Sequence, residues 1–549
     1  MLSPPPLPSL VSPLVADFGA SWYLGTTFMN ALADASGVTL EQRNVRDYGI
    51  EDDDSLDTAA IQAALDDCAG EGGEVYLPPG TYRSAPLRVG DDTTFRLANG
   101  AELRFVQDFT EFPTVESRWE GWDQDGFHPC LHVADASNVT ITGEGIIDGG
   151  GSYWWEFVSL PPEQYPSELA ARLEEIRSGN QQDEVSTFTV RPPLLQIDGC
   201  ENVTVSGVTL RNSPFWNTHV VYSDDVTIHD VSIQNPPDAP NGDGIDIDSS
   251  RFVRVSDTHI DAGDDAICLK SGKDEQGREV GRPTENVVVT NCTVEHGHGG
   301  VVIGSETAGD VRHVTVTNCT FTDTDRGIRI KSKRGRGGTV EDLRFDTIIM
   351  RRVACPFVIN GYYQTDIDSD PKPVTEATPN VRNVDFHHIT AEEVESAAFL
   401  AGLPEQRFEG ISFTDVDIDA TRPFDASDLS PAMAKGYDQR HGVFCKSLGR
   451  VSFKDVRVTV PDGSGTPLTA EASSTVVLDG FEAEADEGPA VEADGVENLR
   501  IGGCVAPDDG EPFARVRGES DGESSVLLAG NYGDMDEAVV SVQPETVER

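Results

Sequence analysis

Along most of the chain, apolar and polar residues alternate in runs of about four, and Gly, Asn or Asp separates one run from the next. One short unit, a small polar residue and then an alternating apolar pair, keeps returning: Asn138-Val-Thr-Ile, Asn202-Val-Thr-Val, Asp225-Val-Thr-Ile, Asn286-Val-Val-Val, His313-Val-Thr-Val and Asn383-Val-Asp-Phe. From Asn202 the successive units, including Phe252, Asp342, Gly410, Arg450, Thr475 and Asn498, open 23, 27, 34, 27, 29, 41, 27, 40, 25 and 23 residues apart. Such periods indicate a solenoid. No unit contains a helix-length periodic stretch, which disfavours helical and leucine-rich repeats. Three short strands per turn, stacked in parallel at about 4.8 Å, predict an all-β, single-stranded parallel β-helix; an antiparallel sandwich is the competing architecture.

Helical signals are local. Thr58 to Cys68 places Ile61, Ala64, Leu65 and Cys68 on one face, which predicts an N-terminal helix capping the open strand edges of the first turn. A second helical stretch is expected near 162–180. The chain then divides into an extension of unknown role (1–42), a cap with the first turns (43–110), the main β-helix (111–515), and a final turn with an acidic tail (516–549).

Charge narrows the function. With 41 Lys+Arg against 95 Asp+Glu the net charge is −54, the opposite of the basic footprint that nucleic acid requires and unsuited to an anionic membrane surface. Only eight of the basic residues are Lys, and so carboxylate-rich a surface suits salt-saturated cytoplasm, where the Debye length falls to about 3 Å. The expected source is a halophilic archaeon. Nine cysteines are an odd number, and Cys268, Cys292 and Cys319 recur near the repeat period, so buried stacked thiols are expected rather than disulfides. No apolar run is long enough to span a bilayer. Arg43 is the first basic residue, and the Pro-rich opening has no basic n-region. The expected compartment is the cytoplasm, with secretion as the alternative, and the expected state is a monomer.

Four adjacent turns concentrate ionisable groups: Asn241-Gly-Asp-Gly-Ile-Asp, Gly263-Asp-Asp, His296-Gly-His-Gly and Arg326-Gly-Ile-Arg-Ile-Lys. Counted from the start of each turn, Asp243, Asp264, Asp265, His298, Arg329 and Lys331 fall at similar offsets. Once the longer corners are allowed for, they stack as one ribbon of roughly 15 Å. Three carboxylates this close cannot all ionise freely, so one holds a proton near neutral pH. An acid facing a carboxylate base is the equipment for glycosidic cleavage, and the neighbouring Arg and Lys suit an anionic sugar. Asp323, Asp325 and Asp52-Asp53-Asp54 are read as surface decoration. His296 with His298 lacks a third ligand at a familiar spacing, so no metal and no cofactor are expected. Trp154 and Trp155 either stack on sugar or pack against the helix flank. Arg334-Gly-Arg-Gly-Gly is read as a tight turn.

Taken in order, Asn241-x-Asp243-Gly, Gly263-Asp264-Asp265, Gly297-His298-Gly299 and Arg329-Ile-Lys331 resemble the four signatures of the polygalacturonases, glycoside hydrolase family 28. Asp47-Tyr-Gly, Leu77-Pro-Pro-Gly-Thr-Tyr, Gly149-Gly-Gly-Ser-Tyr-Trp-Trp and Asn212-Ser-Pro-Phe-Trp extend the resemblance from about Asn44 to at least Tyr363. It implies a right-handed β-helix that hydrolyses α-1,4-galacturonosyl bonds of an acidic polysaccharide or its oligomers with inversion. Asp265 would be the general acid, Asp243 and Asp264 would activate water, and His298 would support their protonation states. Asn241, Arg329, Lys331 and Tyr363, with Tyr362 as the alternative tyrosine, would bind substrate. The chain departs from the family at Gly242, where Thr is usual, and at Ala266, where Cys is frequent. Loops around 157–193 and 363–381 would wall off one end of the cleft, as exo action requires. A Ca-assisted pectate lyase and a non-catalytic polysaccharide-binding β-helix are the competing functions.

Overall fold

The computed structural model describes residues 41–50, 55–178, 190–367, 370–424, 434–484, 488–505, 512–518, 525–532 and 539–542. All but the last two residues of the expected 1–42 extension lie outside these, as do Asp52-Asp53-Asp54 and the end of the acidic tail, 543–549. From Arg43 onward the chain forms one compact unit. Strands of successive turns pair in parallel into one sheet of 24 strands and another of 15, and an antiparallel hairpin, Thr114–Trp119 with Trp122–Phe127, stands apart from both.

The repeat unit has a conformational reason. Asn138, Asn202, Asp225, Asn286, Asp342 and Asn383, which open their units, have left-handed backbones with φ between 56° and 60°. Asn and Asp tolerate that region better than other non-Gly residues, so the small polar residue turns the corner between strands. These corners also stack. Asn202 Nδ2 donates to Asn138 Oδ1 at 2.8 Å, and Asn138 Nδ2 to Asp92 Oδ1 at 2.8 Å.

Alternation then sorts each strand. In the 15-stranded sheet Ile197, Val220, Ile247, Leu269, Ile303, Ile330 and Ile359 are paired turn after turn, and all are buried. Each contributes about 1.5–3 kcal/mol of burial free energy. Across the core Phe345, Phe386, Phe413 and Phe453 stack with centroids 5.3, 4.6 and 5.1 Å apart. The predicted cap is the helix Thr58–Cys68, with Ala60, Ile61, Ala64, Leu65 and Cys68 buried, and Ser167–Ser178 supplies the second helix.

All nine cysteines are free and buried, but they do not share one ladder. Cys292 and Cys319 stack at a corner, where the Thr320 amide donates to the Cys292 carbonyl at 3.1 Å. Cys268 instead pairs with Val302 in the 15-stranded sheet. The near-period spacing misled because it counts residues and not the face on which they fall.

Candidate active site

Because Ile247, Leu269, Ile303 and Ile330 face the core, their strand neighbours face away from it. Asp246, Cys268, Val302 and Arg329 form one outward column. Asp248 pairs with Lys270, and Gly304 with Lys331, in the next. Asp243 and Asp265 lie two residues ahead of the paired Ile245 and Ile267, and the Gly244 amide donates to the Asp265 carbonyl at 3.0 Å. Successive turns thereby deliver the acidic residues to the lining of a cavity of about 440 Å³.

Asn241, Asp243, Asp264, Asp265, His298, Arg329, Lys331 and Tyr363, all eight of the predicted site residues, line that cavity. Lys331 Nζ donates to Asp265 Oδ2 at 2.6 Å, and Arg329 Nη1 lies 3.6 Å from Asp265 Oδ1. His298 Nδ1 is 3.1 Å from Asp264 Oδ1. That Oδ1 also accepts from the Asp265 amide at 2.9 Å. The Tyr363 ring lies 5.4 Å from both Arg329 Cζ and Lys331 Nζ. Tyr362 is fully buried beneath Arg334, so of the two tyrosines it is Tyr363 that reaches the cavity. Asn241 Oδ1 accepts from Arg191 Nη2 at 2.7 Å.

The carboxyls are not equivalent. Burial, with Asp246 and Asp264 nearby, pushes Asp243 well above the usual carboxylate range, against the opposing pull of Lys270. Burial also works to raise Asp264, but the His298 charge and hydrogen bond outweigh it and hold Asp264 below that range. The Asp264 charge in turn raises His298. Burial raises Asp246 in the same way, against Lys270, so Asp243 and Asp246 are the proton-holding side of the cluster and Asp264 the standing carboxylate. Burial opposes the charge on Lys331, yet Asp265 wins and raises it. Among the described residues one trio, Asp243, Asp265 and Cys268, brings a ligand atom of each within 4.8 Å of the others.

Several residues in the cavity or directly behind it were not singled out from sequence. Asp246 is fully buried and its nearest cation is Lys270 Nζ, 3.5 Å away. Lys270 also donates to Glu306 at 3.2 Å and lies 4.5 Å from the Trp216 ring centroid. A signal was present: three of only eight lysines in the chain, Lys270, Lys273 and Lys331, line this cavity. Glu120, at the tip of the separate hairpin, lines it too and lies 3.6 Å from Lys273. Asp325, read as surface decoration, is 3.8 Å from His298 Nε2 and belongs to the site's surroundings. Asp323 is paired with Arg352 at 2.6 Å on the surface, as expected. Trp154 is fully buried, edge-on to Phe112 and Phe127, and Trp155 donates to the Ser213 carbonyl at 3.1 Å, so both pack against the flank. The Gly242 departure also has a local reason: a Cβ there would meet the Ala239 Cβ at 2.9 Å, leaving no room for Thr.

A parallel β-helix that gathers buried carboxyls beside Arg and Lys in one cleft has the paired acids that glycoside hydrolysis requires. Residues 177–430 match the family model described as Glycosyl hydrolases family 28, and residues 42–95 the one described as Rhamnogalacturonase A/epimerase, pectate lyase-like. The chain is 30% identical to a probable polygalacturonase of Vitis vinifera over 67% of its own length and 72% of that protein. It is 30% identical to an endo-polygalacturonase of Pectobacterium carotovorum over 62% of its length and 79% of that protein. The solved exopolygalacturonase of Thermotoga maritima is similar at 27% identity and a TM-score of 0.64, covering 76% of this chain and 91% of the other. The protein belongs to glycoside hydrolase family 28.

Proposed function

We propose that the protein hydrolyses α-1,4-galacturonosyl bonds of pectin-derived chains, acting from one end, with inversion. The observation that carries the reading is the trio Asp243, Asp264 and Asp265, of which Asp243 and Asp265 are buried, set against Arg329 and Lys331 in one cleft. In the free protein Lys331 Nζ donates to Asp265 Oδ2 at 2.6 Å while the raised Asp243 carries a proton. A galacturonate carboxylate arriving at Arg329 and Lys331 draws the ammonium away from Asp265. Asp265 then takes the proton and delivers it to the leaving glycosidic oxygen. Asp243, relieved of the proton, joins Asp264 in deprotonating the attacking water, and His298 keeps Asp264 ionised. Asn241 and Tyr363 orient the sugar at the rim.

End-on action is supported by what covers the sheet. The hairpin Thr114–Phe127 crosses the outer face beside the cavity: Arg118 Nε is 2.9 Å from Asp248, Trp119 stacks on Phe215 at 3.8 Å, and the Lys273 amide donates to the Gly121 carbonyl at 3.1 Å. Its tip is tightly seated, since a Cβ on Gly121 would meet Glu306 Cγ at 2.7 Å. Beyond Tyr363 the same face is covered by an apolar cluster that includes Val358, Phe399, Phe444 and Tyr437. A cleft bounded on both sides suits short or terminal segments of a chain. Relatives of both exo and endo kinds are similar to this protein, so the covering elements carry this part of the reading.

The net charge of −54 and the scarcity of Lys support a halophilic archaeal source. Nine unbridged cysteines suit a reducing cytoplasm in which imported oligomers are finished by a monomeric enzyme. The test is product mass from polygalacturonate in multimolar salt. One water gained per cleavage is expected, with monomer accumulating from the first turnovers. Products formed without water uptake would replace hydrolysis by β-elimination, and a ladder of oligomers would replace exo by endo action. Stereochemistry needs its own measurement. Ligand oxygens of Asp243 and Asp265 within 4.8 Å lie nearer the ~5–5.5 Å spacing of retaining enzymes than the ~6.5–9.5 Å of inverting ones. Proton NMR of the first-formed anomer is expected to show inversion, with Asp264 contributing to the base; the retained anomer would make one carboxylate a nucleophile.

A further inference from the structure

Cys268 takes no part in this chemistry, yet the fold delivers it to the reacting carboxyls. With Ile267 and Leu269 turned to the core, residue 268 faces outward. Its Sγ lies 3.7 Å from Asp265 Oδ2 and 3.2 Å from the Gly304 carbonyl. Asp243 is 3% and Asp265 1% exposed. Asp243 Oδ1 and Asp265 Oδ1 are buried without a hydrogen-bond partner. One ligand atom from each of Asp243, Asp265 and Cys268 lies within 4.8 Å of the other two.

We propose that Asp243, Asp265 and Cys268 form an inhibitory site for a thiophilic divalent cation, Zn²⁺ or Cd²⁺, in the floor of the cleft. Two carboxylate oxygens and one thiolate are a donor set that such ions accept in four-coordinate geometry, with water as the fourth ligand. Mg²⁺ and Ca²⁺ require six or more oxygens and gain nothing from sulfur. Bringing the three donors onto one ion contracts the trio by about 1 Å. The entering cation replaces Lys331 as the counter-charge of Asp265. The Cys268 S–H bond breaks, its proton passes to solvent and the sulfur lone pair bonds the metal; a proton on Asp243 leaves in the same way. The ion then sits between the two carboxyls and removes both from catalysis. Inhibition, unlike binding, rests on the roles proposed above for Asp243 and Asp265.

The full-length protein is titrated with Cd²⁺ without substrate, in excess Mg²⁺ that occupies surface carboxylates. Ultraviolet cadmium–thiolate absorption and proton release are followed together. One equivalent is expected to bind with a thiolate band, and Cys268→Ala and Cys268→Ser are expected to lose that band. Both variants retain basal turnover on a short galacturonate oligomer, and their half-inhibiting Cd²⁺ concentration rises at least tenfold. Asp243→Asn, read by the band alone, is expected to bind at least tenfold more weakly, which keeps the test valid should either Cys268 variant misfold. A wild type without a band, or Cys268 variants that bind like wild type, overturns the site. A Cys268-dependent band without inhibition overturns the inhibitory role and, with it, the roles of Asp243 and Asp265 rather than the coordination.

Discussion

The 15-stranded sheet carries charged residues on its outer face twice, once across the turns from Asp243 to Lys331 and again across the last turns from Arg440 to Arg517, and the two regions behave as opposites. In the last turns Arg440, Glu471, Glu492 and Arg515 surround a shallow cavity of about 190 Å³. Acid meets base there in water: Arg515 Nη1 is 2.9 Å from Glu492 Oε1, with both side chains about one-third exposed. In the first region Asp243, Asp246 and Asp265 are at most 3% exposed, and Asp246 and Asp243 include buried oxygens without hydrogen bonds. Residue types and scaffold are shared. The difference comes from what lies over the sheet, since the hairpin Thr114–Phe127 and the segment at Tyr363 flank one region and nothing comparable covers the other among the described residues. Exposed ion pairs are worth about 0–1 kcal/mol, whereas a buried carboxyl without its own cation shifts its proton affinity, and that shift is what acid–base chemistry uses.

The largest expected effect follows from removing the group at the centre of the buried region. Asp265→Asn keeps the shape of the side chain and its contact with Lys331 but cannot donate an acid proton. Turnover is expected to fall by at least about 10³-fold with circular dichroism unchanged. Turnover near wild type would show that burial in these turns serves stability rather than chemistry. Arg329→Lys comes next. It preserves charge but loses the fork that matches a carboxylate, and about tenfold in KM is expected, with kcat less affected.

The pH dependence sharpens the same contrast. His298 is raised by Asp264, and Asp264 is lowered by His298. With His298→Asn, Asp264 loses its cation, its affinity for protons rises, and the acid limb of the kcat/KM profile is expected to move to higher pH. The stability difference between the two proteins has the opposite edge. A raised histidine contributes fully below its unfolded value of about 6.5, and the contribution disappears as pH climbs through the raised folded value. Thermal unfolding of the pair should therefore converge toward alkaline pH. An unmoved acid limb would detach Asp264 from the base.

The contrast also explains what could be read along the chain. Strand alternation and the corner residues Asn138, Asn202 and Asn383 were legible because they are local: parity and a tolerance for positive φ are properties of single residues and their neighbours. Asp243, Asp265, His298 and Lys331 were legible because a solenoid converts offset within a turn into position in space, and because their motifs resemble a family. Glu120, Trp216 and Glu306 were not, since they reach the cavity from a hairpin and from corners that obey no repeat. Spacing groups Cys268 with Cys292 and Cys319, whereas pairing with Val302 puts it on the outer face of the 15-stranded sheet. The pocket-facing side of Tyr363, against Tyr362, required the bridge between Lys333 and Tyr362 that fixes the turn.

The smallest expected effect lies in the distal region and tests whether cover is the deciding difference. Arg515→Ala removes one side of an exposed pair at 2.9 Å. Solvent screens the pair and salt screens it further, so stability should fall by less than about 0.5 kcal/mol, and by less again as salt rises. Hydrolysis of short oligomers and of long polymer should be unchanged. A loss of turnover on polymer but not on oligomer would mean that a chain extends from the cleft across Phe444 to Arg515. Exposed charges on the same column would then guide substrate, and the line between a covered, reactive region and an open, inert one would have to be redrawn as a single extended binding face.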